Sequence, residues 1–334
     1  MNEFDFIERV VKGSDTSFAK MGIGDDCSSV PWNRKQLLIQ STDLLVEGVH
    51  FNLDNISFED LAYKALAVNI SDIAAMGGQP FWVHLSVAVP EKIDEISLEN
   101  FFKNFKIEAR RHGVSLLGGD LSRSNHDLII NVCMSGLVKK KSVQYRQDFQ
   151  EADLLCVTGP LGDSALGLWC LQNKIEHVHS SVLIARHHRP PIEWIKAQFL
   201  AKQKGVHGMM DLSDGLYSDL QRLEGVEYQI FVQDVPLSHE VQEFCRDQNL
   251  NPYEFAIAGG EDYRILFGVR EKYFHKLSQA FEVKFAEKIY CVGALAPQSE
   301  ERKPVFLLQG QSWQPTRKSF SHFNDANDSG ARPI

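Results

Sequence analysis

The amino-acid sequence predicts an α/β (α+β) protein with two domains. Strand-like and helix-like segments alternate along its first half, which favours layers of sheet and helix over a helical bundle. Its 334 residues exceed the length of one ordinary domain. A polar segment at residues 139–153 interrupts the alternation, and a strand–turn–helix pattern restarts after it. We therefore expect a domain on each side of that segment.

Three strand-like segments and two helical ones make up the first half. The strands are predicted at residues 36–48, 81–90 and 127–138. The helices are predicted at residues 57–77 and 97–113. Ser57 is a good N-cap for the first helix, with Glu59 and Asp60 in its first turn.

The second half begins with a strand, a glycine turn and a helix at residues 154–172. Further strands are predicted at 227–237, 262–269 and 288–297. We expect an N-terminal domain at residues 1–148 and a C-terminal domain at 149–323. The small, polar tail at 324–334 is expected to be disordered.

Composition excludes several classes of function. The net charge of −9 and the lack of a long basic cluster argue against general nucleic-acid binding. No apolar stretch is long enough to span a bilayer, and the acidic start MNEFDFIERVVKG is unlike a signal peptide. The six cysteines are scattered and form no CxxC pair, which is typical of reduced core residues. We expect a cytoplasmic protein with no membrane partner.

One carboxylate lies where a helix disfavours it. In the segment LAVNISDIAAMGGQP, residues 66–80, Gly77, Gly78 and Pro80 end a helix. Asp72 falls in the closing turns, where the helix dipole is negative. It therefore needs a positive charge from elsewhere.

Asp72 belongs to a set of carboxylates that stand beside Gly, Ser or Thr at the edges of apolar segments. The others are Asp25, Asp26, Asp43, Asp120, Asp211, Asp214, Glu261 and Asp262. If they converge, they need cations, and Mg²⁺ is the oxygen-preferring ion that accompanies phosphates. Each has a plainer alternative: Asp214 could cap a helix, and the Asp25–Asp26, GGD and GGE segments could be turns. Together they predict a phosphate site with several metal ions.

Other phosphate and nucleophile motifs are missing. The sequence has no GxxxxGK[ST], no strand-borne GxGxxG and no GxSxG. The segment GPLGDSALG, residues 159–167, predicts either an anion-binding turn at a helix N-terminus or a plain turn. The histidines show no zinc-binding spacing, and we expect His187 and His188 at the surface.

The motifs GIGDDC, STDLLVEGVHF, AYKALAVNISDIAAMGG, LLGGDLSR, DLSDGLYSDL and GGEDY resemble those of the thiamine-monophosphate kinase family. They occur in the family's order and cover both halves of the chain. The shorter elements are shared with aminoimidazole ribonucleotide synthetases, selenophosphate synthetases and hydrogenase-maturation carbamoyl dehydratases. The resemblance implies the two-domain aminoimidazole ribonucleotide synthetase-like fold, with an N-terminal mixed sheet that has helices on one face. It also implies that the C-terminal α/β domain completes an ATP site without a P-loop.

The resemblance further implies that ATP phosphorylates thiamine phosphate to thiamine diphosphate with the help of several Mg²⁺ ions. The implied magnesium ligands are Asp26, Ser41, Thr42, Asp43, Asp72, Asp120, Asp211 and Asp214. The implied nucleotide contacts are Gly119, Asp120, Arg146 and Ser213. The implied thiamine phosphate contacts are His50, Glu261 and Phe320. Relatives of this type imply a homodimer formed through the N-terminal sheets.

Two positions depart from the family pattern. Arg264 stands in GGEDYRILF where the family usually has GGEDYELLF. If this segment is a strand, Glu261 and Tyr263 share one face while Asp262 and Arg264 share the other, so Arg264 faces away from Glu261. Phe320 replaces the family's Tyr or Trp and keeps an aromatic ring without the polar group.

The implied chemistry needs no general base. A phosphate acceptor has a second pKa of about 6, so it is mostly an anion near neutrality. Phosphoryl transfer then rests on positioning and charge neutralisation, which aspartate-bound Mg²⁺ supplies. Two alternatives remain: another ATP-dependent enzyme of the superfamily, such as an aminoimidazole ribonucleotide synthetase that releases inorganic phosphate, and a non-catalytic nucleotide- or thiamine-binding protein.

Overall fold

The computed structural model describes residues 17–22, 24–223, 226–297 and 305–317. The chain divides into two compact units. Unit 1 comprises residues 1–73, 79–140 and 320–334, and unit 2 comprises residues 74–78 and 141–319. Each unit contains a mixed β-sheet with helices, so the predicted fold class is confirmed. Phe320 and the predicted tail lie outside the described residues.

Unit 1 is built on a five-stranded sheet with the order β1-β2-β5-β3-β4. The strands are β1 (Ser28–Pro31), β2 (Gln36–Val46), β3 (Gln79–Pro90), β4 (Ser115–Ser124) and β5 (Ile129–Lys139). β3 and β4 are parallel and the other neighbours are antiparallel. The three predicted strands are confirmed within a few residues, whereas β4 was not predicted. Its sequence SLLGGDLSRS is glycine-containing and almost fully exposed, so it lacks the buried alternation of a central strand.

Two helices of the first half begin at side-chain caps. They are α1 (Phe58–Ala75) and α2 (Glu95–Arg111). The hydroxyl of Ser57 accepts a hydrogen bond from the Asp60 N–H at 3.0 Å, which confirms the predicted cap. Beyond α1, Gly77 adopts a φ of 69°, a left-handed conformation that suits glycine and ends the helix. α2 starts two residues before its prediction because Asp94, whose carboxylate accepts the Ser97 N–H, is the cap.

The core of unit 1 lies between α1 and one face of the sheet. Alternate residues of the central strands are buried there, namely Val83, Leu85, Val87, Ile130, Val132 and Met134. α1 approaches this face closely, since a Cβ on Gly136 would lie 2.6 Å from the Cγ2 of Ile73. The helix thereby brings Asp72 to the sheet.

Unit 2 is built on a seven-stranded sheet with the order β12-β11-β8-β10-β6-β9-β7. The strands are β6 (Asp153–Val157), β7 (Val206–Asp211), β8 (Val226–Phe231), β9 (Ile265–Arg270), β10 (Tyr290–Pro297), β11 (Val305–Leu308) and β12 (Gln311–Trp313). The helices are α3 (Asp163–Asn173), α4 (Ser180–His188), α5 (Trp194–Leu200), α6 (Leu216–Asp219), α7 (His239–Asp247), α8 (Pro252–Ala258) and α9 (Glu271–Phe285). Short 3₁₀ turns lie at Arg146–Asp148, Leu220–Arg222 and Val232–Asp234.

Both faces of the unit 2 sheet are covered. Leu155 and Val157 of β6 belong to one buried cluster, and Cys156 between them belongs to another. Leu266 and Phe267 of β9 divide between the same two clusters. Because neighbouring residues of a strand point to opposite faces, the sheet is buried on both sides.

The predicted strand at 262–269 is wrong at its start. β9 begins at Ile265, and Glu261 and Tyr263 have φ values of 65° and 48°. These left-handed conformations do not occur in a strand, so the argument from alternating faces does not apply to residues 261–264.

Two predictions from composition can be compared with the described residues. Within those ranges, no helix is both long enough and apolar enough to cross a bilayer. All six cysteines are free thiols, and four of them, Cys27, Cys156, Cys170 and Cys245, are buried. The prediction that the cysteines lie in the core is therefore confirmed for these four.

Candidate active site

The predicted site residues are shared between the two units. Unit 1 contains Asp26, Ser41, Thr42, Asp43, His50, Asp72, Gly119 and Asp120. Unit 2 contains Arg146, Asp211, Ser213, Asp214 and Glu261.

Asp72, Asp26 and Ser41 meet in unit 1. The Ser41 hydroxyl, on β2, donates a hydrogen bond to the Asp72 carboxylate, on α1. A carboxylate oxygen of Asp26 lies within 4.8 Å of one of Asp72. Asp26 is buried, and the last turn of α1 carries no basic residue. Negative charge therefore concentrates at the end of α1, where the helix dipole adds to it.

The neighbouring residues of β2 divide between the two faces of the sheet. Asp43 shares the helix-facing side with Ser41, because strand residues two apart point the same way. Thr42 points to the opposite face, where its hydroxyl accepts a hydrogen bond from the Asn131 side-chain amide at 3.0 Å.

Gly119 and Asp120 lie on the edge strand β4. Gly119 must be glycine, since a Cβ there would lie 1.7 Å from the carbonyl oxygen of Leu85. Asp120 lies opposite Ser86 of β3. Strands β4 and β2 are three strand spacings apart, so about 14 Å across the sheet separates Asp120 from the strand that carries Asp43. Unit 1 therefore does not bring these two aspartates together.

His50 follows β2 in a turn that fixes its tautomer. Its Nδ1 accepts a hydrogen bond from the Val46 N–H at 3.0 Å. In the neutral ring the proton must then be on Nε2. Nε2–H is a donor suited to an oxygen acceptor such as a phosphate.

In unit 2 the motifs DLSDG and GGEDY are joined by backbone hydrogen bonds. The Glu261 N–H donates to the Ser213 carbonyl at 2.7 Å, and the Tyr263 N–H donates to the Leu212 carbonyl at 2.9 Å. The two segments are so close that a Cβ on Gly260 would lie 2.5 Å from the Ser213 oxygen. Asp211, Ser213, Asp214 and Glu261 are thereby held in one region of unit 2.

Asp214 does not cap a helix, so that alternative is wrong. Its carboxylate forms an ion pair with Arg222, and the residue before α6 is Gly215. The N–H groups of Asp214 and Gly215 both donate to the carboxylate of Asp219 at 3.1 Å. Asp214 thus already has a cationic neighbour within unit 2.

Asp219 and Arg222 contact Asp214, and the sequence interpretation did not single them out. Burial, followed by the charge of Asp214, raises the pKa of the Asp219 carboxyl well above its usual range. Arg222 opposes this rise, and Asp211 adds to it. Asp214, Asp219 and Arg222 are brought together by the short helix α6 and the turn after it. No motif in the sequence predicts this short helix.

Glu261 lies against a buried histidine. Nδ1 of His187 is 3.3 Å from Oε2 of Glu261 and 3.0 Å from Oγ of Ser164. His187 is 3% exposed and His188 is 8% exposed, so the prediction that they lie at the surface is wrong. They stand at the C-terminal end of α4, which is packed into unit 2, and the flanking arginines had suggested a solvated segment.

The GPLGDSALG turn binds a carboxylate of the same unit. The N–H groups of Gly162 and Ser164, at the start of α3, donate to the Asp262 carboxylate at 2.8 and 3.5 Å. Burial raises the pKa of Asp262 to about 8, although the Gly162 hydrogen bond lowers it. The structure therefore supports the plain structural alternative for this turn.

Arg264 points to a buried glutamate. Its Nη1 lies 2.7 Å from Oε1 of Glu193, and Nζ of Lys196 lies 2.9 Å from the same oxygen. Burial of Glu193 works to raise its pKa, but Arg264 and Lys196 outweigh burial and hold the pKa below its usual range. Gly159 leaves room for the guanidinium group, since a Cβ there would lie 2.7 Å from its carbon. The departure from the family pattern is therefore part of a structural ion pair.

We predict that Arg264→Gln destabilises the protein by about 3 kcal/mol, because the buried Glu193 carboxylate loses its guanidinium partner and keeps Lys196 and the Thr158 hydroxyl. Arg264→Gln/Glu193→Gln should cost less than the sum of the two single changes, since the uncompensated charge is gone. Urea unfolding of the four proteins measures the coupling. Additive costs would show that the pair does not determine the stability of this region.

Comparisons with known proteins identify relatives of this chain. Residues 24–138 match the family model for the N-terminal domain of AIR synthase related proteins. The chain is 36% identical over 332 residues to the thiamine-monophosphate kinase of Buchnera aphidicola subsp. Schizaphis graminum, covering 96% of this chain and 99% of that protein. It is 34% identical over 310 residues to the thiamine-monophosphate kinase of Escherichia coli (strain K12), covering 91% and 92%.

Solved structures show the same relationship. The structure of "AaThiL complexed with AMPPCP and TMP" matches with a TM-score of 0.83 and 30% identity, covering 96% of this chain and 97% of that chain. The thiamine monophosphate kinase of Aquifex aeolicus matches with a TM-score of 0.76 and 28% identity, covering 93% and 97%. Identity above 30% over nearly the whole length of both proteins establishes kinship, and the chain belongs to the thiamine-monophosphate kinase family.

Proposed function

We propose that this thiamine-phosphate kinase transfers the γ-phosphoryl group of ATP directly to thiamine monophosphate, with Mg²⁺ ions held by its aspartates. The observation that carries the magnesium proposal is the pairing of Asp26 and Asp72 within 4.8 Å in unit 1, beside the Ser41 hydroxyl. Family membership supports ATP and thiamine monophosphate as the substrates.

The donor set fits Mg²⁺. Two ligands of one magnesium ion lie at most about 4 Å apart, and hard oxygen donors are what the ion prefers. Asp26, Asp72 and Ser41 offer such oxygens at nearly that spacing. When bound, Mg²⁺ neutralises phosphate charge and aligns the entering and leaving oxygens.

The other implied ligands support the proposal less directly. Thr42, Asp43 and Asp120 lie on the unit 1 sheet, and Asp211 and Asp214 lie beside Ser213 in unit 2. If Asp214 binds a metal ion, its carboxylate would either leave Arg222 or contact both the metal ion and Arg222.

The protein's own groups orient two substrates and move no proton. Because the acceptor phosphate is already an anion, a general base has nothing to remove. We assign phosphate binding to His50, whose Nε2 carries the proton in the neutral ring because Nδ1 accepts the Val46 N–H. We assign binding of the cationic thiamine portion to Glu261, whose backbone N–H donates to the Ser213 carbonyl. Gly119, Asp120, Arg146 and Ser213 are assigned to the nucleotide, and Phe320 to the thiamine ring.

Direct transfer predicts a simple stoichiometry. ADP and thiamine diphosphate should form in equal amounts from ATP and thiamine monophosphate, without inorganic phosphate, because no water enters the reaction. Chromatography of the products, together with a phosphate assay, measures this. Inorganic phosphate released in proportion to turnover would favour the alternative of an aminoimidazole ribonucleotide synthetase-like reaction, and the absence of any turnover would favour a binding protein.

We predict that Asp72→Asn nearly abolishes kinase activity but leaves the metal-free protein as stable as, or more stable than, the wild type. Asn keeps the shape and removes repulsion from Asp26 and from the helix dipole, a gain of about 0.3–1 kcal/mol. The added stability from Mg²⁺ and ATP should shrink, because ligand stabilisation follows affinity for the folded state. Thermal melts with EDTA, and then with Mg²⁺ and ATP, measure both effects.

Glu59→Gln is the matched control for Asp72→Asn. Glu59 is an exposed carboxylate in the first turn of the same helix, where the dipole favours negative charge. Its removal should lower stability slightly and leave activity and the Mg²⁺–ATP shift unchanged. A lower EDTA melting temperature for Asp72→Asn with normal activity would show that Asp72 is structural.

We also propose that the protein is a homodimer formed through the sheet of unit 1. Two strand edges support this. β4 is an edge strand that exposes Leu117 and Leu121, 62% and 60% accessible. β1 pairs only with residues 37–40 of β2, so the β2 edge at 41–46 has no strand partner among the described residues. Exposed edges with apolar side chains are typical association surfaces.

Pairing of β4 with the β2 edge of a second copy would bring Asp120 of that copy to Thr42 and Asp43. A two-fold dimer would form two such sites. This would join magnesium ligands that one sheet keeps about 14 Å apart.

A mixing experiment tests the shared site. Asp43→Asn and Asp120→Asn should each be inactive alone. Exchanged mixtures should regain about a quarter of the wild-type activity, because half of the dimers are mixed and each mixed dimer has one intact site. A mixture of Asp43→Asn with Asp72→Asn is the control and should stay inactive, since both residues then belong to the same copy's half of the site. Failure of the first mixture to recover activity, with subunit exchange confirmed by mass spectrometry, would contradict the shared site.

A further inference from the structure

Two histidines and a glutamate meet on unit 2 without a role in the proposed kinase reaction. His239 and Glu243 stand one turn apart on α7, and His179 immediately precedes α4. Oε2 of Glu243 lies 3.1 Å from Nε2 of His179 and 3.2 Å from Nε2 of His239. One ligand atom from each residue lies within 4.8 Å of the other two.

Neighbouring residues orient Glu243 and the loop that carries His179. Nη2 of Arg246 contacts the other carboxylate oxygen of Glu243 at 3.1 Å, which leaves Oε2 to the imidazoles. The ring of His177 accepts the His179 N–H at Nδ1, so its Nε2 carries a proton and donates to Asp247. The loop that carries His179 is therefore fixed to the same helix, α7, by a second histidine–carboxylate contact.

The donor set suits a transition-metal ion. In a tetrahedral zinc site with bonds of 2.0–2.1 Å, ligand atoms lie about 3.3 Å apart, close to the two N–O distances seen here. Imidazole nitrogens prefer Zn²⁺, Ni²⁺ or Cu²⁺, whereas Mg²⁺ prefers an all-oxygen set. His239 is 74% exposed, so a fourth position is open to water.

We propose that His179, His239 and Glu243 bind one divalent transition-metal ion, such as Zn²⁺, that links the start of α4 to α7. Metal bonds would replace the two imidazole N–H contacts to Oε2. In a neutral ring the Nε2 proton would move to Nδ1, and a protonated ring would release one proton to solvent. At the other end of α4, Arg186 already contacts Glu240 of α7 through two hydrogen bonds of 3.0 Å. The ion would fasten the two helices at a second point.

The sequence gives little sign of this site. His239 and Glu243 are four apart, a helical spacing that places both on one face, but the third ligand is sixty residues earlier in EHVHS. The fold, and not a contiguous motif, assembles the three ligands.

Calorimetric titration of the tag-free full-length protein with Zn²⁺ tests the proposal. Saturating Mg²⁺ is present throughout, so that the aspartate sites are filled. Wild type should bind one equivalent of Zn²⁺, and its melting temperature should rise with Zn²⁺. His239→Ala and Glu243→Gln should weaken this binding by at least about tenfold and lose the thermal shift. His239 is exposed and Glu243→Gln keeps the shape, so neither change should prevent folding.

His275→Ala is the matched control, because His275 is an exposed histidine on another helix of unit 2, α9. It should bind Zn²⁺ as the wild type does. Cobalt(II) substituted for zinc should give an intense visible absorption in the wild type and in His275→Ala only. The proposal is overturned if wild type binds no Zn²⁺ in the presence of Mg²⁺, or if His239→Ala and Glu243→Gln bind it as tightly as His275→Ala. Neither result would bear on the kinase reaction, whose magnesium site has different ligands.

Discussion

Concentrated negative charge at the end of α1 is the constraint around which unit 1 is arranged. Asp72 lies near Asp26, at the carbonyl end of a helix whose last turn has no basic residue. Carboxylates at that end of a helix are disfavoured unless a cation lies near them, which is why the proposed magnesium site is placed there. The sheet beneath, with its buried aliphatic face, supplies the rigidity that keeps the carboxylates from separating.

In unit 2, the buried Glu193 and Asp262 and the half-buried Asp214 all have partners within the unit. Glu193 lies between Arg264 and Lys196, Asp214 pairs with Arg222, and Asp262 accepts N–H groups at the start of α3. These contacts shape the DLSDG and GGEDY segments, whose backbones hydrogen-bond to each other.

Part of the fold could be predicted from short stretches of the sequence. The Ser57 cap and the central strands follow from short-range patterns of polarity and helix ends. The grouping of Asp72 with Asp26 and Ser41 came from the family resemblance. Where contacts are long-range, the patterns failed.

The failures have physical causes. β4 exposes most of its residues, so it showed no buried alternation. The positive φ values of Glu261 and Tyr263 are imposed by pairing with residues 212–213. His187 is buried because α4 packs into unit 2. Arg222 forms an ion pair with Asp214 across a turn. In each case the deciding neighbour is distant in sequence or in an irregular segment, where single-sequence periodicity carries no information.

The buried carboxyl of Asp262 makes a pH-dependent contribution to the stability of unit 2. In an unfolded chain this carboxyl would have lost its proton at neutral pH, yet burial raises its pKa in the folded protein to about 8. Folding therefore takes up a proton across the interval between the two values. Since the folded state binds more protons there, stability falls as the pH rises toward about 8, and beyond it the full penalty of a buried carboxylate remains. The contribution of Asp262 to the stability of unit 2 is therefore more favourable on the acidic side of about pH 8 than on the alkaline side.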